Sequence, residues 1–316
     1  MTAFLLRRAI TFLLTLLAAS LTVFLMLEIL PGDPAQIIMG MEAPPSAVEA
    51  LRKQLGLDSP PYIRYFEWLA GLMQGRMGFS FTYQVPVEDI IGQRLQVTVP
   101  LALMAIVIAV VTAIPLGVSA AARHNKPGDY GMMLFSQIGI AVPSFWLAIL
   151  LTLVFAIKLG WLPSGGFPGW SAGFWPAIKS LLLPAFALGL IQAAILARIT
   201  RSAVLEAFRE DFVRTARAKG LSNRATLWRH VLRNALLPVV TILGLELASL
   251  LVGTIVVEQV FFLPGLGRLV FQSVSQRDLI VVKNVVLLLA ALVIFVNFIV
   301  DLLYMAIDPR LRAAQR

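Results

Sequence analysis

Six apolar windows, each about as long as the roughly 20 residues that cross a bilayer's hydrocarbon core, recur along the chain. They run from Ala9 to Leu30, Thr98 to Ala122, Gly131 to Ile157, Ile178 to Ile199, Leu236 to Glu258 and Val281 to Tyr304. Lipid offers no partner to an unpaired backbone N–H or C=O, so each window is expected to be an α-helix that satisfies its own backbone. The fold expected is therefore an all-α polytopic membrane protein with six transmembrane helices. Composition agrees, since 59% of the 316 residues are hydrophobic and 14% are charged, far from the usage of a soluble domain. The first window is too long for a signal-peptide core and lacks a convincing small-residue cleavage site before Pro31-Gly32-Asp33-Pro34, so it reads as a retained first span.

Charge then orients the spans. Arg7 and Arg8 precede the first window, Arg123 and Lys126 lie after the second, Arg201 to Asn234 is strongly basic, and Arg310, Arg312 and Arg316 end the sequence. The positive-inside rule places all four segments, and so both termini, in the cytoplasm, in keeping with an even number of spans. The formal net charge of +9 is thereby accounted for by topology at a lipid surface, with no nucleic-acid partner. Pro31 to Val97 nearly balances its charges and is expected to be a small extracytoplasmic insertion, with short helices over Val48 to Leu55 and Tyr62 to Met73 between its paired prolines. Three parts follow: 1–97, a core over 98–305, and a cytoplasmic tail over 306–316. The outer loops Trp161 to Trp175 and Gln259 to Asp278 are rich in Gly, Pro and aromatics, suited to an interfacial belt or to receiving a partner.

Little supports chemistry. With no Cys there is no thiolate ligand or nucleophile, and His124 and His230 are isolated, so neither a catalytic residue nor a metal or other cofactor is expected. Pro100, Pro115, Pro143, Pro184 and Pro238 fall within or at the edges of spans, where each invites a kink, structural or gating. Glu246 stands near the middle of the fifth window, where a charge is expensive, and should face a cavity or partner. Gln192 in the fourth is a milder candidate for the same path, or simply an interhelical hydrogen bond. Glu28, Glu258 and Asp301 lie near span ends and are expected to be solvated.

Within the basic segment, Gly220 can take the left-handed conformation that ends a helix and Ser222 can cap the next. Helix, tight turn and helix follow. Leu227, Trp228 and Val231 share one face of the second helix and Arg229 and Arg233 the other, which suits a basic helix on lipid headgroups as well as one that docks a partner.

The residue order narrows this. Arg214-Thr215-Ala216, Gly220 and Leu237-Pro238 resemble the Glu-Ala-Ala signature of permeases in binding-protein-dependent ABC importers, in the form usual for the oligopeptide, dipeptide and nickel group. Ile29 to Pro34, Leu51 to Asp58, Gly75 to Ser80, Trp161 to Gly165, Leu263 to Arg268 and Asp301 to Arg310 are similar, in the same order, to that group's B-type permease. Lys283-Asn284 and Glu246 depart from it. The resemblance implies a type I ABC importer permease fold. It also implies a second permease, two cytoplasmic ATP-binding subunits and an extracytoplasmic solute-binding protein as partners. Arg214, Thr215, Ala216, Arg217, Ala218, Lys219, Gly220 and Ser222 would couple to the ATPases, with small Ala216 and Ala218 allowing close approach. The implied cargo is a short peptide, with nickel chelates, glutathione or oligosaccharides as alternatives. No G-x-x-x-x-G-K-[ST] loop is present, so ATP would be bound by the partners. A stand-alone secondary transporter or channel would need coupling-ion ligands, and an intramembrane hydrolase would need an H-E-x-x-H or G-x-S-x-G arrangement that is missing.

Orientation is directly testable in a chain without cysteine. A membrane-impermeant thiol reagent applied to intact cells should label Ser46→Cys and spare Ser222→Cys; the opposite pattern would invert the topology.

Overall fold

The computed structural model describes residues 2–29, 33–40, 43–54 and 56–307. Leu30 to Gly32 of the first motif and Asp308 to Arg310 of the last therefore lie outside the described residues, as does most of the expected tail. Among the described residues five helices are long and apolar enough to cross a membrane, and a sharply bent helix pair brings the number to six if the pair counts as one span. The six expected windows each fall on one of them.

The chain forms two compact units, 1–97 with 265–295, and 98–264 with 296–316. In the first unit, span α1 (Thr2–Glu28) is followed by α2 (Pro34–Met39), α3 (Pro45–Gln54) and α4 (Pro61–Met73). All three short helices begin on a proline, whose fixed φ suits the first helical turn and whose missing N–H would have no partner there. Asp33 caps α2 by accepting from Ala35 N at 3.0 Å, and Arg52 ties α3 to Asp33 at 3.0 Å and Asp58 at 2.8 Å. Beneath these polar ties Ala35, Val48 and Leu51 form a small apolar centre. Helix α4 docks on the end of α1: Tyr65 hydroxyl meets Ser20 Oγ at 2.9 Å, and the Phe24 ring packs edge-on to Tyr65 and stacks on Trp68.

A two-stranded hairpin, β1 (Phe79–Ser80) paired antiparallel with β2 (Val85–Pro86), is the one departure from the all-α expectation among the described residues. It is pinned where Ser80 Oγ donates to Asp278 at 2.5 Å, just ahead of α13 (Leu279–Ile307), after α12 (Leu266–Ser275).

The second unit is organised around α8 (Phe174–Ala207), against which α6 (Pro127–Ala141), α7 (Ser144–Leu151) and α11 (Leu232–Val260) pack. Eight of the seventeen buried positions of α8 are alanine, with Ser180, Gly189 and Thr200 among the rest. Small side chains allow backbones to approach closely, which replaces the hydrophobic drive that lipid cannot supply. Two glycines show how close. A Cβ on Gly189 would lie 2.7 Å from Ala105 O, and one on Gly117 would lie 2.6 Å from Ala197 O. Ala105 and Gly117 belong to α5 (Val87–Ala122), so α5 and α8 approach closely at two places.

The five span prolines behave differently from one another. Pro100 and Pro115, Pro184 and Pro238 lie inside the continuous helices α5, α8 and α11. Only at Pro143 does the chain break, turning 106° between α6 and the helix of Ser144–Lys158, whose second half (Thr152–Lys158) is π-helical. Proline disfavours the α conformation of the residue before it, and Val142 is extended at φ −84, ψ 121. The third span, expected as one stretch from Gly131 to Ile157, is thus a bent pair.

Candidate functional site

The segment from Arg201 to Asn234, expected to hold a helix, a tight turn and a helix, is mostly helical. Helix α8 continues to Ala207, α9 covers Asp211–Ala218, and α10 (Asn223–Thr226) passes through a π-helical turn (Leu227–Val231) into α11, one helix of 38 residues. What remains outside helix is short and highly specified. Gly220 has φ +82, its N–H donates to Arg217 O at 2.9 Å, and Leu221 N donates to Ala216 O at 3.2 Å. Those two bonds are the Schellman pattern that closes a helix C-terminus with a left-handed residue. Two residues on, Ser222 Oγ accepts from Ala225 N at 3.3 Å and caps α10.

Amphipathicity fixes α9 to the bundle. Val213 is buried in the same apolar cluster as Val204, Leu227 and Val231, with Phe212 packed alongside, and Ala216, three residues on along the same face, is buried too. Ala216 is consequently turned inward, whereas Ala218, also expected to approach a partner, is exposed together with Arg214, Thr215, Arg217, Lys219, Gly220 and Ser222. Arg217 lies over the Phe208 ring at 5.9 Å, and Arg214 reaches Asp211 at 3.5 Å with both side chains open to solvent. On the second helix Leu227 and Val231 enter the core but Trp228 is 54% exposed. One residue of advance turns a helix by about 100°, which carries Trp228 out beside Arg229 and Arg233.

Of the two polar residues expected on a path through the spans, Glu246 on α11 is half-buried and makes no hydrogen bond or ion pair with the described residues. Gln192 on α8 has its Oε1 buried without a hydrogen-bond partner among them. The two helices pack on each other, yet no bond joins the pair. Glu258, expected to be solvated, is fully buried near the end of α11 and accepts from Thr98 Oγ1 at 2.7 Å.

One cluster was not visible in the sequence. Asp129, 1% exposed at the start of α6, receives two bonds from Arg201 near the end of α8, Nε at 2.5 Å and Nη2 at 2.8 Å. His124 Nδ1 and the Asn125 N–H approach the same carboxylate at 3.1 and 3.0 Å. A bidentate guanidinium–carboxylate pair fixes orientation as well as distance. Arg201 so locks α6 to α8 six residues before the turn that leads to α9.

Residues 113–313 match the binding-protein-dependent transport system inner membrane component, and residues 1–102 match the N-terminal part of such membrane components. The chain belongs to this family. It is the permease subunit of an ABC importer, of the peptide group, and a multi-pass membrane protein. The permease is 43% identical over 312 residues to a peptide transport system permease of Brucella abortus, covering 99% of both chains. It is 40% identical over 309 residues to a glutathione transport system permease of Escherichia coli O6:H1, covering 98% of both. Its fold is that of the type I ABC importer permeases, shared with an inward-facing methionine ABC transporter at TM-score 0.58 and 19% identity, over 69% of the permease and 96% of that chain.

Removing the Asp129 carboxylate leaves Arg201 nearly buried and unpaired. Asp129→Ala should therefore destabilise the purified permease by about 3 kcal/mol or more, while Arg214→Ala should cost less than about 1 kcal/mol. Detergent-titrated unfolding measures both, and equal effects would refute the distinction.

Proposed function

We propose that the permease carries short peptides inward, pairing with a second permease in the membrane, and that two ATPase subunits dock on the turn at Gly220. The single observation that carries this is the build of α9: one face anchored in the bundle core, the other presenting Arg214, Thr215, Arg217, Ala218 and Lys219 to solvent, and the turn after it closed by Gly220. Because α10 and α11 are one helix, a displacement of the turn is a displacement of the fifth span. ATP-driven closure of the ATPases would bias the bundle between two states, which requires only that partners prefer one state over the other. ATP hydrolysis resides in those partners, in keeping with a sequence that lacks a phosphate-binding loop.

The basic residues of the cytoplasmically assigned segments support a cytoplasmic turn and cytoplasmic termini in a bacterial inner membrane, and with the charge-balanced insertion they support its facing a solute-binding protein. The peptide cargo is supported by the names of the relatives, a peptide and a glutathione permease. Glu246 and Gln192 are the polar groups proposed to meet cargo between α8 and α11, since neither is satisfied by a neighbour.

At φ +82 a β-branched residue is strained even though open space surrounds the Gly220 position. Gly220→Val should cut binding-protein-dependent uptake by about tenfold or more in the assembled transporter, about 1.4 kcal/mol of lost coupling. Gly220→Asn, which tolerates the left-handed region, should retain most of it. Full uptake and full peptide-stimulated ATP hydrolysis in the Val variant would remove the turn from the mechanism.

A charge role for Glu246 has its own signature. Glu246→Gln should reduce uptake of cationic peptides more than that of matched neutral ones, with assembly unchanged. Equal loss for both, or loss of assembly, would make the residue structural.

A further inference from the structure

A cavity of about 740 Å³ opens within the unit formed by 1–97 and 265–295, bounded by the end of α1, by α4, by the hairpin and by the first turns of α13. Its size is that of a small-molecule site. Ile38, Leu57 and Phe81 also line it, so much of its wall comes from the insertion and not from the spans. Water-borne solutes are thus its natural occupants.

The charges in its wall are unevenly matched. Glu28 is paired with Arg64. Lys283 makes no ion pair or hydrogen bond with the described residues, and its ammonium instead lies 4.5 Å from the Trp68 ring centre and 5.8 Å from that of Phe24. An ammonium drawn away from water without a contacting carboxylate is unfavourable; aromatic faces offset part of that, but they satisfy none of its three N–H donors. Glu67, beside Trp68 on α4, is an exposed carboxylate with no partner among the described residues.

The surrounding structure holds these groups in place. Asn284 spends both ends of its amide, donating to Met77 O at 2.7 Å and Ile280 O at 2.8 Å and accepting from Trp68 Nε1 at 3.0 Å. That three-way tie fixes the aromatic floor against the turn of α13 that carries Lys283. A cation held over aromatic rings and a carboxylate in the same cavity wall complement a zwitterion with an apolar body.

We propose that this cavity binds a short peptide by its free termini, Lys283 receiving the C-terminal carboxylate and Glu67 the N-terminal ammonium. The proposal rests on the peptide reading above and adds a site for it. Lys283 and Asn284 become the specificity-determining element of the site: Asn284 positions, Lys283 binds.

The assembled transporter in phospholipid nanodiscs, illuminated with the photoreactive dipeptide Ala–(p-benzoyl)Phe, tests this. Mapping by mass spectrometry should place adducts on α4, the hairpin or the start of α13. The C-terminal amide of the same probe should label there at least about tenfold less. Lys283→Met should lose the acid-over-amide preference and Lys283→Arg should keep it. Equal labelling by acid and amide, adducts only outside this unit, or a phospholipid that native mass spectrometry finds on the wild type and not on Lys283→Met would overturn the site. Uptake of Ala–Phe by the same transporter with its binding protein separates the two readings. Uptake without Lys283-dependent labelling sinks the site alone, whereas failure to import any peptide sinks the cargo assignment and the site with it.

Discussion

Close backbone contact along α8 is the interaction on which the second unit depends. In water such a helix would be driven inward by apolar burial, but a lipid tail is as apolar as leucine, so only dense packing distinguishes the folded bundle from separated helices. Alanine and glycine on the buried positions of α8 supply that density against α5, α6, α7 and α11. The small hydroxyl residues among them return their protons to their own helix, Thr200 to Leu196 O at 2.7 Å and Ser180 to Ala177 O at 2.7 Å, and so add little bulk and leave no orphan donor. Once α8 is in place, Arg201 near its end meets Asp129, and the apolar cluster that receives Val213 is complete.

Magnitudes separate the arginines of this region into two kinds. Arg201, 15% exposed against a carboxylate 1% exposed, belongs to a pair whose disruption costs several kcal/mol. The Arg214–Asp211 pair, at 82% and 94% exposure, contributes on the order of half a kcal/mol and is easily given up. A partner that engages Arg214 therefore gains nearly its full charge, while one that pulled on Arg201 would be working against the fold.

The sequence made the spans legible because a hydropathy window integrates over about 20 residues, and it made the turn at Gly220 and Ser222 legible because both signals are local. Helix ends were harder. Helix α8 runs past its apolar window to Ala207, and α10 begins at Asn223, well before the window that opens at Leu236, because polar helical turns outside lipid carry no hydropathy signal. The prolines could not be ranked either, since a proline in a span is tolerated when neighbours satisfy the carbonyl it frees, and that depends on packing. Asp129 and Arg201 are 72 residues apart, and nothing in either neighbourhood names the other. Glu258 misled through its place near a window's end, although burial is set by what covers a residue, here Thr98, and not by its depth in an apolar run.

The continuous path from α10 through α11 has a mechanical consequence. Its 38 residues form a hydrogen-bonded rod, about 57 Å long at the usual helical rise. Held near its middle by neighbours, such a rod swings its two ends in opposite directions, so that a shift of about 2 Å at the end beside Ser222 returns one of about 2 Å near Val260 without any side chain changing rotamer. Distance along the chain thus becomes leverage, carried through the π-helical turn over Leu227–Val231.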